Sequence, residues 1–272
     1  METYMNERLY NLNQGWSSLA GELLYLAMDQ SPYGGILPAN ELAFYEQRIR
    51  ANKGPALEQA CGTGRLLLRL IERGLDVHGA DASADALRFA QIKAKQLGVH
   101  SKLYHQRMQD FKVLHRYGTI YMDCGSFMAI SERQEAQDTL KRFRNHLIPG
   151  GELLIGLFIP DEAKGVPVKT RYWQPMKCAS GEGEISTKLW TESFDSLGQT
   201  LVEKRRYELK VDGKLVRSEL HTLHMRWYYK YEFTMMLEKA GFQDIYLYSD
   251  YTEQPATKES KTIIYGARNL ST

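Results

Sequence analysis

The sequence predicts an α/β fold: a doubly wound sheet with helices on both faces, plus an antiparallel β meander inserted late in the chain. Three observations predict it. Ala56-Leu-Glu-Gln-Ala-Cys-Gly-Thr-Gly-Arg-Leu-Leu-Leu-Arg-Leu-Ile71, followed by Val77-His-Gly-Ala-Asp-Ala-Ser83, reads as a buried strand, a glycine turn, an apolar helix and a second strand ending in a carboxylate. Short apolar runs and amphipathic helical stretches then alternate as far as Phe158. From Ile185 the pattern changes to long segments with partial two-residue alternation, separated by turn dipeptides.

The glycine turn is where chemistry is expected. Gly62 and Gly64 lack Cβ, so the backbone there can take positive φ and let a ligand approach closely. Unpaired N–H groups and the positive dipole end at the start of the following helix favour an anionic ligand group. Asp81 ends the next strand at about the ~20-residue spacing where an acid meets ribose hydroxyls in nucleotide-binding βαβ units. An adenosine ligand bearing a carboxylate or phosphate satisfies both ends. Read as G-x-G-x-x-G, Gly62-Thr-Gly64-Arg-Leu-Leu67 fails, because Leu67 takes the third glycine position, which is needed for tight helix–strand packing. It also fails as a phosphate cradle, since no Lys-Ser or Lys-Thr follows. What fits is an acid ahead of the turn, Glu58, and a second acid after the next strand, Asp81.

These residues resemble the class I S-adenosylmethionine-dependent methyltransferases, whose glycine-rich signature begins with Asp or Glu and continues with three loop glycines. Ala60 stands at the first glycine and makes the turn more constrained. Two other stretches carry the same resemblance: a helix followed by Leu147-Ile-Pro-Gly-Gly151 and an apolar strand, and Lys239-Ala-Gly-Phe242 followed by two strands. The resemblance covers about residues 40 to 268. It implies a Rossmann-like seven-stranded sheet with an antiparallel last strand, S-adenosyl-L-methionine as cofactor, and methyl transfer to a small-molecule acceptor through an O, N or C nucleophile. The cofactor contacts it implies are Glu58, Ala60, Cys61, Gly62 and Gly64 at the turn, with Asp81 and Ala82 after the second strand. Met108, Gln109 and Asp110 follow the third strand, and Asp123 and Cys124 follow the fourth. Asp110 is placed to accept from the adenine amine and Met108 to pack on the ring, at the switch-point crevice of the open sheet. The alternative is an accessory or sensor protein that keeps the fold and binds S-adenosylmethionine without turnover. Ala60, and Arg107 where similar methyltransferases often carry an acid, are the departures that suggest it. A nicotinamide dehydrogenase is a third reading.

A chain of 272 residues holds one large domain, or one with an insertion. Hydrophobic content of 43% and charged content of 25% are ordinary for a globular protein. A net charge of +2 predicts neither nucleic-acid nor membrane attachment. Three cysteines, Cys61, Cys124 and Cys178, lack metal-ligand spacing and suggest a reducing compartment. The polar start and the absence of a long apolar run predict a cytoplasmic protein.

Residues 1–50 read as helical, and the resemblance implies that they cover the cofactor, with Tyr10, Trp16, Tyr25, Tyr33 and Tyr45 as candidates to face a sulfonium cation that aromatic faces attract. Leu42, Tyr45 and Ile49 share one helical face from Ala39 to about Arg50. Residues 51–160 and 228–272 are assigned to the cofactor-binding domain. Ser83 is expected to cap a helix ending at Gly98, with Leu87, Ala90, Ile92, Ala94 and Leu97 as its apolar content. Lys102 to Gln106, Tyr117 to Met122 and Glu152 to Phe158 read as strands three to five, with a helix from Ser131 to about Leu147. Residues 161–227 form the inserted meander, a substrate or dimer region, with a homodimer as one use of it. Its strands are Ile185–Phe194, Thr200–Lys210 and Lys214–His224, turned at Leu197-Gly198 and at Asp212-Gly213, the latter a type I′ signal. Lys204-Arg-Arg206 splits over both faces and reads as a solvated surface.

For catalysis the candidates are Tyr33, Asp123, His224 and Tyr228, with Trp227 beside them. No acid–base pair stands at diagnostic spacing. The chain also lacks the paired glutamates of protein arginine methyltransferases and the Asn/Asp-Pro-Pro-Tyr motif of base-amino methylation. Those absences favour a small-molecule acceptor in a closed pocket, lined by Tyr33, Phe127 and Arg226 or Tyr228.

Overall fold

Two strands near the middle of the sheet are buried along their whole length, β1 (Ala56–Gln59) and β4 (Tyr117–Met122). Buried on both faces, such strands have no reason to alternate, and they read as continuous runs. The structure, a computed structural model, describes residues 39–166, 170–177 and 183–270. The expected aromatic cover at Tyr10, Trp16, Tyr25 and Tyr33 lies outside these residues, as does Cys178.

Helix α1 (Ala39–Ala51) buries Phe44, Tyr45 and Ile49, while Leu42 packs partly buried against the same cluster. After β1 come α2 (Leu67–Glu72), β2 (Val77–Asp81), α3 (Ala84–Leu97) and β3 (Leu103–His105). Ser83 caps α3 as expected, its hydroxyl accepting the Ala86 N–H at 3.1 Å, and Gly98 ends the helix with φ +68°. Ile92 and Leu97 are exposed, so the buried stripe is Ala86, Leu87, Ala90 and Ala94. Then β4 leads through a 3-10 turn (Ser126–Ala129) into α4 (Arg133–His146) and β5 (Leu147–Leu157).

β5 starts five residues earlier than expected. Its pairing with β4 slips between Tyr117 and Thr119, with Gly150 at φ +77°, so Pro149-Gly150-Gly151 is a bulge inside the strand. The chain closes with α5 (Lys230–Lys239), β10 (Gln243–Ser249) and β11 (Ile263–Arg268). The seven-stranded sheet has the order β10-β11-β5-β4-β1-β2-β3. β1, β2, β3, β4 and β5 pair in parallel, and β11 runs antiparallel to both β5 and β10. The last strand is reversed, as the resemblance implied. Strand order changes direction between β1 and β4, which opens a crevice at their carboxyl ends.

The insertion is a separate four-stranded antiparallel sheet: β6 (Arg171–Lys177), β7 (Glu184–Asp195), β8 (Thr200–Val211) and β9 (Lys214–Arg226). β6 carries no alternating pattern because its pairing shifts between Trp173 and Met176, around Pro175, and a proline without an N–H is tolerated at such an edge bulge. Asp212 and Gly213 both have positive φ, as a type I′ turn requires. At the other hairpin the left-handed residue is Gln199 rather than Gly198, because the Asp195 carboxylate accepts the N–H of Leu197 and of Gly198 and winds the turn one residue further. Leu201 and Met225 join Phe127 and Met128 in one core cluster, so the base of the inserted sheet packs on the segment that follows β4.

Candidate active site

The turn after β1 holds Ala60, Gly62 and Gly64 at φ +55°, +54° and +81°. Ala60 thus takes, with a Cβ, a conformation that costs an L-residue roughly 1–2 kcal/mol. Gly64 has no alternative, because a Cβ there would fall 2.9 Å from Cγ of Leu68. Among the described residues, a Cβ on Gly62 would meet nothing within 4 Å, so that side of the loop is open to them. The expected helix dipole is a correction. Residues 62–66 remain in turns and α2 has only six residues, too few to build a strong N-terminal field.

The N–H of Gly62 is taken by Asp81. Oδ2 of Asp81 accepts it at 2.8 Å, and Oδ1 accepts the N–H of Ser83 at 2.8 Å. Burial raises the Asp81 acid above its ordinary value, and these backbone donors pull it back. A carboxylate offers about four lone-pair sites, so both oxygens retain capacity for ribose hydroxyls. Ala82 follows, half-buried, its carbonyl 2.9 Å from Nε2 of His105.

Beyond β3, Met108 is half-buried against the core, with Gln109 half-buried beside it. Asp110 is exposed and lies 3.8 Å from Arg107, whose guanidinium also donates to Glu135 at 3.2 Å. That pairing directs the Asp110 carboxylate to its own loop.

The crevice between β1 and β4 is lined with acid. Glu58 is buried and accepts the Tyr121 hydroxyl at 2.8 Å, and burial pushes its acid up to about 8. Asp123 follows β4, is buried, and has Glu41, Tyr251 and the Cys124 backbone as its hydrogen-bonding neighbours. Burial and the Glu41 carboxylate push it up to about 7. Glu41, wholly buried on α1, receives both Nη atoms of Arg65 at 2.7 and 2.6 Å. Arg65 also lies 3.5 Å from Sγ of Cys124, which is exposed with φ +56°, whereas Cys61 is buried. Tyr45 stacks at a tilt on Tyr121, with ring centroids 4.9 Å apart. Tyr251, its ring centroid 6.3 Å from that of Tyr45, hydrogen-bonds with Asp123, and Glu41, Arg65, Tyr121 and Tyr251 were not singled out in the sequence. They sit on elements that only the sheet order brings together, though Arg65 directly after Gly64 was a signal.

The catalytic candidates are not gathered in one place. Asp123 stands in the crevice. His224 is exposed, on the opposite face of β9 from Leu223 and Met225, which pack on the core, so alternation turns it away from the β4 end. Tyr228 is sealed in the core against Phe127 and Phe233, its hydroxyl 3.5 Å from the carbonyl of Ile130. Trp227 is buried and stacks on Phe194. Phe127 is itself fully buried, and Arg226 donates to the carbonyls of Ser131 and Gly198, so the expected pocket walls are instead packing and clamping groups. Tyr33 lies outside the described residues.

S-adenosylmethionine fits what is present: open space over Gly62 among the described residues, acceptor capacity on Asp81, and a buried acid at Asp123 near the switch point. Residues 56–151 match the family model of a methyltransferase domain. A protein of Geobacillus sp. (strain WCH70) whose name places it among the methyltransferases is 25% identical over 214 residues, 78% of this chain and 83% of that one. The fold is that of a crystal structure of a S-adenosylmethionine-dependent methyltransferase from Clostridium acetobutylicum, with a TM-score of 0.77 at 15% identity, covering 92% of this chain and 99% of the other. A sugar N-methyltransferase from Streptoalloteichus sp. is similar at a TM-score of 0.70 and 15% identity, over 92% and 94% of the two chains. With strand order, glycine turn and the Asp81 carboxylate after β2 in place, the chain belongs to the class I S-adenosylmethionine-dependent methyltransferases and uses S-adenosyl-L-methionine as its cofactor.

Proposed function

We propose that the enzyme methylates a small molecule held between the acid-lined crevice and the inserted sheet. The observation that carries this reading is the clamp at Arg226. Nε donates to the carbonyl of Ser131 at 2.6 Å and an Nη atom donates to that of Gly198 at 2.8 Å. One side chain thereby ties the β7–β8 turn and the end of β9 to the segment after β4. Held in this way, the insertion bounds the side of the crevice beyond β4, which suits a closed pocket. Pockets of that kind bury most of a small ligand and orient it with a few polar groups. The likeness to a sugar N-methyltransferase over most of both chains supports the same reading.

Bound S-adenosylmethionine supplies an electrophilic methyl group on a sulfonium, open to in-line displacement by an O, N or C nucleophile. The chain's own residues bind and orient. Asp81 receives the ribose hydroxyls while fixing the loop at Gly62, and Gly62 leaves the approach path free. Ala60 and Cys61 complete the turn, and Met108 packs on the base. Glu58, protonated at neutral pH, holds Tyr121 at the floor of the crevice. Alignment of this sort accounts for much of the catalysis of a displacement. Residues 51–160 and 228–272 then serve the donor, and 161–227 the acceptor.

The test is transfer of labelled methyl from S-adenosylmethionine to a panel of amines, hydroxylated metabolites and sugars, run beside a polypeptide and a nucleic-acid substrate pool. Labelled small-molecule product is expected. Label found only in the polymers would overturn the reading.

A further inference from the structure

Helix α1 is fastened at both ends, and the two fastenings meet different parts of the fold. Glu41 and Arg48 stand seven residues apart, about two turns, so they share one face of the helix. In the amino half of β4, Asn52 after the helix donates to Thr119 at 2.9 Å. Beside it Arg48 donates to the wholly buried Glu152 of β5 and to the Tyr246 hydroxyl at 3.0 Å. At the opposite end Glu41, also wholly buried, receives both Nη atoms of Arg65 at 2.7 and 2.6 Å. Arg65 belongs to the glycine turn itself.

That turn is held from two sides. Ala60, Gly62 and Gly64 all carry positive φ, residues 62–66 form no regular helix, and α2 adds only six residues behind them. From the β2 side, Asp81 takes the Gly62 N–H at 2.8 Å, and Lys93 of α3 donates to the Thr63 hydroxyl at 3.2 Å. From the α1 side the tie is Arg65. A bidentate guanidinium–carboxylate pair fixes distance and orientation together. Buried, it adds little net stability over apolar side chains of the same volume. What the contact supplies is geometry.

We propose that Arg65 is a positioning residue that couples the donor-binding turn to α1: its pair with Glu41 holds the turn in the shape that admits the donor, and donor binding in return secures the amino-terminal end of the helix. The proposal rests on the donor lying over Gly62 and Asp81. Coupling of this kind is reciprocal, so it is read from either end. It also reaches the wall of the crevice, because α1 carries Tyr45, stacked on Tyr121 with ring centroids 4.9 Å apart. Arg48 provides the contrast: it sits on the same helix in a similarly buried pair, but that pair is fastened to β5.

The test titrates S-adenosylhomocysteine by calorimetry into wild type, Arg65→Lys, Glu41→Gln and Arg48→Lys, with thermal unfolding of each. Lysine keeps the charge and loses the fork. Arg65→Lys and Glu41→Gln should raise Kd about tenfold, inside the usual range for coupled sites. Arg48→Lys should lower Tm comparably and leave Kd within about twofold, as independent sites do. Hydrogen exchange gives a readout that stability alone does not move. S-adenosylhomocysteine should slow exchange at residues 43–46, the first amides of α1 bonded within the helix. That protection should vanish in Glu41→Gln and persist in Arg48→Lys. Wild-type Kd in folded Arg65→Lys or Glu41→Gln, or equal weakening in Arg48→Lys, overturns the proposal. So does unchanged exchange of α1 when wild type binds the ligand, a measurement that needs no variant to fold. Failure of wild type to bind S-adenosylhomocysteine instead removes the donor site itself, a distinguishable result.

Discussion

Oδ2 of Asp81 accepts the backbone N–H of Gly62 at 2.8 Å, so the acid expected to hold a ribose also sets the shape of the loop beneath it. The side chain at the end of β2 therefore does two jobs. Asp81→Ala should remove both and weaken S-adenosylhomocysteine binding by about 1.5–3 kcal/mol, the range for hydrogen bonds to a charged group. Circular dichroism should show the fold intact. Calorimetry finding wild-type affinity would displace the ribose from this position.

Gly62→Ala separates shape from access. Among the described residues a Cβ there meets no atom within 4 Å, and the positive φ costs roughly 1–2 kcal/mol of stability. The methyl group projects into the space assigned to the donor, so affinity should fall by more than about tenfold, against about 1.4 kcal/mol per decade. Unchanged affinity in a folded Gly62→Ala protein would place the donor elsewhere.

Arg65→Ala should be the most damaging of these substitutions. It strands the wholly buried Glu41 carboxylate, and removal of one partner from a buried pair costs about 3–5 kcal/mol. The double variant Arg65→Ala, Glu41→Gln should recover a large part of that loss in urea unfolding. No recovery would show that Arg65 acts through something other than Glu41.

The ligand-free enzyme should lose stability as pH rises. Asp123 has an ordinary acid value of 3.8 and is held at about 7, and Glu58 has 4.5 and is held at about 8. Between those values the folded state keeps protons that the unfolded state has released, so unfolding free energy falls with pH from about 4 to 8 and then levels. The difference should be on the order of a few kcal/mol, and Asp123→Asn should flatten the lower part of the curve. A curve rising between pH 5 and 8 would contradict both assignments.

Much of the fold was legible because its signals are local. Glu58, the glycines and Asp81 lie within one strand–turn–helix–strand unit, and Lys239-Ala-Gly-Phe242 announces the closing hairpin. β6 was not legible, since Pro175 and its bulge erase alternation. The site was read in part. Glu41, Arg65, Asp123 and Tyr251 meet only after the sheet places α1, β1, β4 and the loop after β10 side by side, and no spacing records that. Nor does sequence show that the Gly62 N–H is already used, or that Phe127 and Tyr228 face the core. Those outcomes depend on which way a short segment turns once packed.

The most direct test is a crystal structure with S-adenosylhomocysteine, because its sulfur marks where the methyl group sat. The account predicts ribose hydroxyls on Asp81, the sulfur at the carboxyl ends of β1 and β4, and beside it a closed pocket bounded by the inserted sheet. A ligand bound away from Gly62 and Asp81, or an open groove beside the sulfur wide enough for a polypeptide or a duplex, would contradict it.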